Sequence, residues 1–205
     1  MINKIKLNII SNRKLCENEN LEKQIEKIFS AYERKIILKN FEIVALTLRE
    51  KDFNKNEYLK LIEEIYPICQ KYKINLILHQ NYDLNLDDKY KIDGIHLSYN
   101  IFKSLNENIK AELIKKYKRI GVSIHSLDEA KEVENLGASY VIAGHIFETD
   151  CKKGLKPRGL KFVKDLSSTL TIPIFAIGGI DEKNSQSVIN SGAFSVCMMS
   201  SIMKY

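Results

Sequence analysis

Short apolar runs bounded by polar residues or glycine recur along this chain, with longer stretches of helical spacing between several of them. Lys6 to Ile10 and Phe41 to Leu48 read as the first two strands. Between them, Asn20 to Glu33 places Leu21, Ile25, Ile28 and Phe29 on one helical face. Asn56 to Tyr72 does the same with Tyr58, Leu59, Ile62, Ile65 and Cys69. Further strands are predicted at Ile74 to Leu78, Gly94 to Leu97, Ile120 to Ile124, Tyr140 to Ala143, Ile174 to Ile177 and Phe194 to Met198. Helical segments at Ile109 to Tyr117, Leu127 to Leu136, Leu160 to Leu166 and Glu182 to Ser191 complete the pattern.

Eight nearly continuous apolar strands alternating with amphipathic helices imply a parallel sheet buried on both faces. The first strand-to-helix turn lacks the glycine fingerprint of an open nucleotide-binding sheet, so a closed (β/α)8 TIM barrel is the better fit. At 205 residues the chain is short for that fold, whose usual size is about 250 residues, and no linker or repeat divides it. Residues 1–205 therefore read as one compact α/β domain. The sequence reaches Met203-Lys204-Tyr205 just after the eighth strand, which predicts a truncated or missing final helix and leaves a homodimer open as the means of covering the gap.

Composition narrows the partners. No apolar run approaches the roughly 20 residues that span a bilayer, and Met1-Ile2-Asn3-Lys4-Ile5-Lys6-Leu7 has no signal-peptide core, so the expectation is a soluble cytoplasmic protein without a membrane partner. The net charge of +6 comes from lysines scattered among glutamates, with no basic block or interleaved aromatics, which argues against nucleic acid and for a mild preference for anionic ligands. Cysteines 16, 69, 151 and 197 lack metal-ligand or redox spacing; Cys151 lies in a charged loop and reads as a bystander. Of the five arginines, Arg49 alone ends a strand pattern, and with Lys51 it places two cations where a carboxylate or phosphate could be held.

The chemistry gathers at the later strand ends. His145, in Gly144-His145-Ile146-Phe147-Glu148-Thr149-Asp150-Cys151-Lys152-Lys153-Gly154, ends the sixth strand, where an imidazole can take and return a proton near neutral pH. Gly178 and Gly179 end the seventh strand before Asp181, a candidate cap for the next helix. With Ser200 and Ser201 they form a candidate phosphate cradle, because unobstructed amides approach an anion closely. Phosphate binding after strands seven and eight recurs in TIM barrels. His96 reads as either a core residue or a mouth residue, His79 is equally open, and His125 precedes the capping pattern Ser126…Glu129. No ligand spacing for a metal surrounds His145.

Five segments together carry a family resemblance: Leu48-Arg49-Glu50-Lys51, Asp93-Gly94-Ile95-His96-Leu97, Gly121-Val122-Ser123-Ile124-His125-Ser126, Ala176-Ile177-Gly178-Gly179-Ile180 and Met199-Ser200-Ser201-Ile202. The chain resembles the thiamin phosphate synthase and thiazole tautomerase superfamily from Leu46 almost to its end. The synthases of that superfamily couple a pyrimidine pyrophosphate to a thiazole phosphate with magnesium. Their pattern has Asn-Asp after the third strand and Asp shortly after the fourth. Here those places read His79-Gln80-Asn81 and Ser98-Tyr99-Asn100, without a carboxylate. The His145 segment is similar instead to the tautomerase pattern. That resemblance implies a cofactor-free isomerase that aromatises a carboxythiazole phosphate, with His145 as acid/base and Arg49 at an anionic end of the ligand. The alternatives are a thiamin phosphate synthase with an altered metal site and a thiazole phosphate-binding protein without turnover.

Overall fold

In the computed structural model, which describes residues 4–84 and 86–205, eight parallel strands close into a barrel in chain order. They are β1 (Ile5–Ile10), β2 (Phe41–Leu48), β3 (Asn75–His79), β4 (Gly94–Ser98), β5 (Arg119–Ile124), β6 (Tyr140–Ala143), β7 (Ile174–Ile177) and β8 (Ser195–Met198). Closure comes from β1 against β8, with Leu7 opposite Val196 and Ile9 opposite Met198. The start of the N-terminal reading, Met1-Ile2-Asn3, lies outside the described residues, as does the side chain of Cys151.

The helices are α1 (Leu21–Glu33), α2 (Lys55–Lys71), α3 (Tyr99–Ser104), α4 (Glu107–Lys116), α5 (Leu127–Asn135), α6 (Gly159–Ser167), α7 (Ser185–Asn190) and α8 (Ser200–Met203). Local chemistry sets their starts. The Asn20 side chain accepts from the Lys23 amide at the head of α1, and Asn54 with Glu57 forms a reciprocal capping box at the head of α2. The eighth helix is a single turn, as expected. The other differences are local. α3 was not expected, and the β3–β4 connection has no helix among the described residues. α7 is assigned from Ser185 rather than near Glu182, yet the Asp181 carboxylate accepts from the Lys183 and Asn184 amides, the capping expected of it, and residues 182–184 form a turn that leads into the helix. Among the described residues no helix is long and apolar enough to cross a membrane.

Side chains pack in two layers. Outside the barrel, Ile25, Ile28, Phe29, Leu46, Leu48, Ile62 and Ile65 are fully buried between strands and helices. Inside it lies a smaller cluster of Ile10, Tyr140, Ile142, Phe175 and Cys197. Tyr140 stacks on Phe175 with ring centroids 4.6 Å apart, and His96 and His79 continue the row of rings toward the C-terminal ends of the strands. Gly121 makes this row fit. A Cβ there would stand 2.0 Å from the Tyr140 ring. The inner apolar layer thus plugs the lower barrel and leaves the upper end open to ligand.

Candidate active site

A cavity of about 320 Å³ opens at the C-terminal ends of the strands. All the residues expected at a site line it: Arg49, Lys51, His145, Gly178, Gly179, Ser200 and Ser201. Its apolar floor includes Ile10, Ile142, Ile177 and Cys197.

His145 leaves the end of β6 and is almost wholly buried, 3% exposed. Its Nε2 lies 3.2 Å from the Leu155 carbonyl, an acceptor, so in the neutral ring the proton resides on Nε2. Nδ1 then carries the lone pair, and it has no hydrogen-bond partner among the described residues. Nδ1 is itself buried. The flanking backbone is fixed from β7, with the Ile146 amide donating to the Ile177 carbonyl and the Phe147 amide to the Gly178 carbonyl. Gly178 and Gly179 both have positive φ, at 110° and 64°, and a Cβ on Gly178 would stand 2.5 Å from that of His145. A Cβ on Gly179 would stand 2.3 Å from the Glu148 carbonyl oxygen. The glycine pair is therefore required first by close packing against the His145 loop. A branched side chain at Gly179 would meet that loop.

The cations are held at the end of β2. The buried Glu50 carboxylate accepts from the Ser11 hydroxyl at 2.7 Å and the Arg13 amide at 3.1 Å. Ser11 Oγ in turn accepts from the Arg49 amide at 2.7 Å. The Tyr58 hydroxyl donates to the Leu48 carbonyl and accepts from the His79 amide, tying the ends of β2 and β3 together. Glu50 thus faces the β1 loop while Arg49 and Lys51 on either side of it line the cavity. Lys51 is depressed below the usual lysine range, first by the charge of Arg49, then by burial and by Lys152. That mutual repulsion marks a place where an anion would be stabilised.

The remaining histidines differ from one another. His96 lines the cavity although it is 2% exposed, so the core and mouth readings both describe it. Its Nε2 meets Ser123 Oγ at 2.7 Å while Nδ1 is unpartnered. Burial, then Arg49, pushes its pKa down to about 3. His79 is held down to about 2 by burial, His96, Arg49 and Lys51. Both stay neutral at ordinary pH. His125 is half-exposed, and burial lowers its pKa most, with Lys152 next. Its capping pattern is partly met: Ser126 accepts from the Glu129 amide, but the Glu129 carboxylate reaches the His125 amide instead of that of Ser126. Sequence reasoning missed Lys152, Thr149, Gln80 and Ser98 as cavity residues. The inward parity of Thr47 with Arg49, and of His96 with Ser98, could have found part of this set.

Comparisons with known proteins give the family and the fold. A profile of the family described as "Thiamine monophosphate synthase" matches residues 7–202. The chain belongs to that family. A thiamine-phosphate synthase of Clostridium acetobutylicum is 32% identical over 199 residues, covering 97% of this chain and 87% of its own. A putative thiamine-phosphate synthase 2 of Aquifex aeolicus is 32% identical over 171 residues, covering 83% and 87%. The solved thiamine phosphate pyrophosphorylase of Pyrococcus furiosus has the same fold, with a TM-score of 0.78 at 24% identity, over 99% of this chain and 89% of that one.

One feature of the site departs from the synthase pattern. No carboxylate is among the described residues that line the cavity, and no group of three His, Cys, Asp or Glu side chains there could hold a metal ion. Gln80 and Ser98 line it near the ends of β3 and β4, where the resemblance implies acidic ligands. This donor set does not fit a magnesium ion, which takes its protein anchors mainly from carboxylates.

Proposed function

We propose that this member of the thiamine monophosphate synthase family is a thiazole tautomerase, converting a carboxythiazole phosphate with an exocyclic double bond into its aromatic isomer. The observation that carries the reading is a cavity, without a carboxylate among its described lining residues, that brings the His145 imidazole together with the positive charge of Arg49 and Lys51. The His145 imidazole removes the proton from the ring carbon that bears the carboxylate. The freed electron pair enters the ring, the exocyclic double bond shifts with it, and the exocyclic carbon receives the proton back from the imidazolium. Substrate and product are isomers, and the histidine ends as it began.

Charge develops beside the carboxylate when that carbon loses its proton. Fixed cations aimed there lower the barrier, so the carboxylate is assigned to Arg49 and Lys51. The phosphate is then assigned to the amides and hydroxyls of Gly178, Gly179, Ser200 and Ser201, across the cavity, with the thiazole ring beside His145. Incubating the protein with the tautomer and following the rise of aromatic absorbance tests the reading; a bound but unchanged tautomer would instead indicate a binding protein.

A second reading is favoured by the names of the relatives: pyrophosphate-releasing coupling of a pyrimidine to the thiazole phosphate. Magnesium-dependent pyrophosphate release above a buffer control would establish it and displace the tautomerase assignment.

A further inference from the structure

Arg158 is not among the residues that line the cavity, yet it holds the segment that carries His145. Its main-chain N–H donates to the His145 carbonyl at 3.0 Å, and its Nη1 donates to the Gly144 carbonyl at 2.8 Å. One residue therefore binds the peptide groups on both sides of the His145 Cα. Its Nε also donates to the His125 carbonyl at 2.9 Å, which joins the ends of β5 and β6. The next amide, Gly159, donates to the Ile146 carbonyl at 3.0 Å, so the clamp continues as a short ladder. Arg158 also closes the loop that supplies the Leu155 carbonyl to His145 Nε2.

We propose that Arg158 is the positioning residue for the proton carrier: its guanidinium fixes the Gly144–His145 backbone so that the imidazole meets the Leu155 carbonyl through Nε2 and holds one ring orientation at the cavity. This rests on the tautomerase reading of His145. The planar fork matters, because Nε and Nη1 reach at once two carbonyls just beyond the ends of different strands, and a lysine ammonium offers a single centre. Phe162, one turn into α6 with its ring centroid 5.7 Å from the guanidinium carbon, helps to hold the guanidinium in place. Because Arg158 touches neither end of the proposed ligand, its loss should change the reaction step and leave binding alone.

The test compares wild type, Arg158→Gln, Arg158→Lys and Arg158→Ala. Tautomer turnover, affinity for the aromatic product by calorimetry, and the ¹⁵N resonances of the His145 ring are measured in each. The expected result is a kcat fall of about 10²-fold in the Gln and Lys variants, the scale of a misplacement near 1 Å. KM and product affinity stay near wild type. The ¹⁵N pattern moves from one tautomer toward a mixture, and added guanidinium partly restores both kcat and pattern in Arg158→Ala. Unchanged kcat, or KM and product affinity that weaken in step with kcat while the ring pattern is unaltered, would overturn the proposal. Should Arg158→Gln or Arg158→Ala fail to fold, Arg158→Lys carries the decision. A wild type that leaves the tautomer unconverted would sink the functional reading, and the ¹⁵N pattern would still decide whether Arg158 sets the ring.

Discussion

Replacing His145 by glutamine separates proton transfer from everything else this residue does. The imidazole Nε2 meets the Leu155 carbonyl at 3.2 Å, and a glutamine amide nitrogen reaches a similar place and can donate there too. The Arg158, Ile177 and Gly178 contacts to this segment use backbone groups and remain. What disappears is the imidazole, the group that takes and returns the proton. A general acid/base contributes about 10²–10⁴-fold, which corresponds to about 3–5 kcal/mol of barrier. His145→Gln should therefore lower kcat by about 10²–10⁴-fold. KM should stay close to that of wild type, because Arg49, Lys51 and the glycine pair are untouched. Initial rates of aromatic absorbance, with melting temperature as a control for folding, make the measurement. A folded variant with kcat near wild type would refute the assignment. It would move the role to His125, the half-exposed imidazole at the cavity, because the lowered pKa values of His79 and His96 make them weak bases.

Other outcomes follow from the same geometry. His79 and His96 have pKa values pushed down to about 2 and about 3, whereas the unfolded chain binds protons at about 6.5, so their contribution to stability is complete above that pH and is lost as pH falls below it. Urea unfolding between pH 7 and 5 should show the decline, at up to about 1.4 kcal/mol per pH unit for each histidine, and His79→Gln/His96→Gln should flatten it; a flat wild-type profile would contradict the burial argument. Lys51, depressed by Arg49, burial and Lys152, should lose its proton at a lower pH than an ordinary lysine, so substrate KM should rise on the alkaline side, and Lys51→Arg should remove that rise. Gly121→Ala brings a methyl to 2.0 Å from the Tyr140 ring and should destabilise by about 1–3 kcal/mol, read as a lower melting temperature. Gly179→Val should lower the melting temperature as well as activity, because the Glu148 carbonyl oxygen stands in the way; a pure KM effect on a fully stable protein would restore the view that this position faces ligand.

The barrel was legible because every strand is covered on both faces, which turns each into an apolar run that stands out from a lysine-rich background. α3 was not legible. It has six residues and buries only Phe102, too little for a periodicity. The start of α7 differs by three residues, because the stretch that follows the Asp181 cap is a turn before it becomes regular helix. At the site, His145 and the glycine pair announced themselves by ending strands. Lys152 could not, since it enters the cavity from an irregular loop.

Nor could the sequence give the second duty of the glycines. Gly178 and Gly179 read as a phosphate cradle, and the backbone packing makes them equally the wall against which the His145 loop is built. The two duties fit one mechanism. A tautomerase must keep its base within reach of one carbon while the phosphate is anchored nearby, and a loop braced directly on the proposed anchor holds that distance without a metal to organise it. The synthase pattern organises its reactants through carboxylates at the ends of the third and fourth strands. With Gln80 and Ser98 lining those ends, positioning here falls to backbone hydrogen bonds from β7 and Arg158. On the tautomerase reading proposed above, one barrel hosts both chemistries, and the residues that separate them lie at the strand ends.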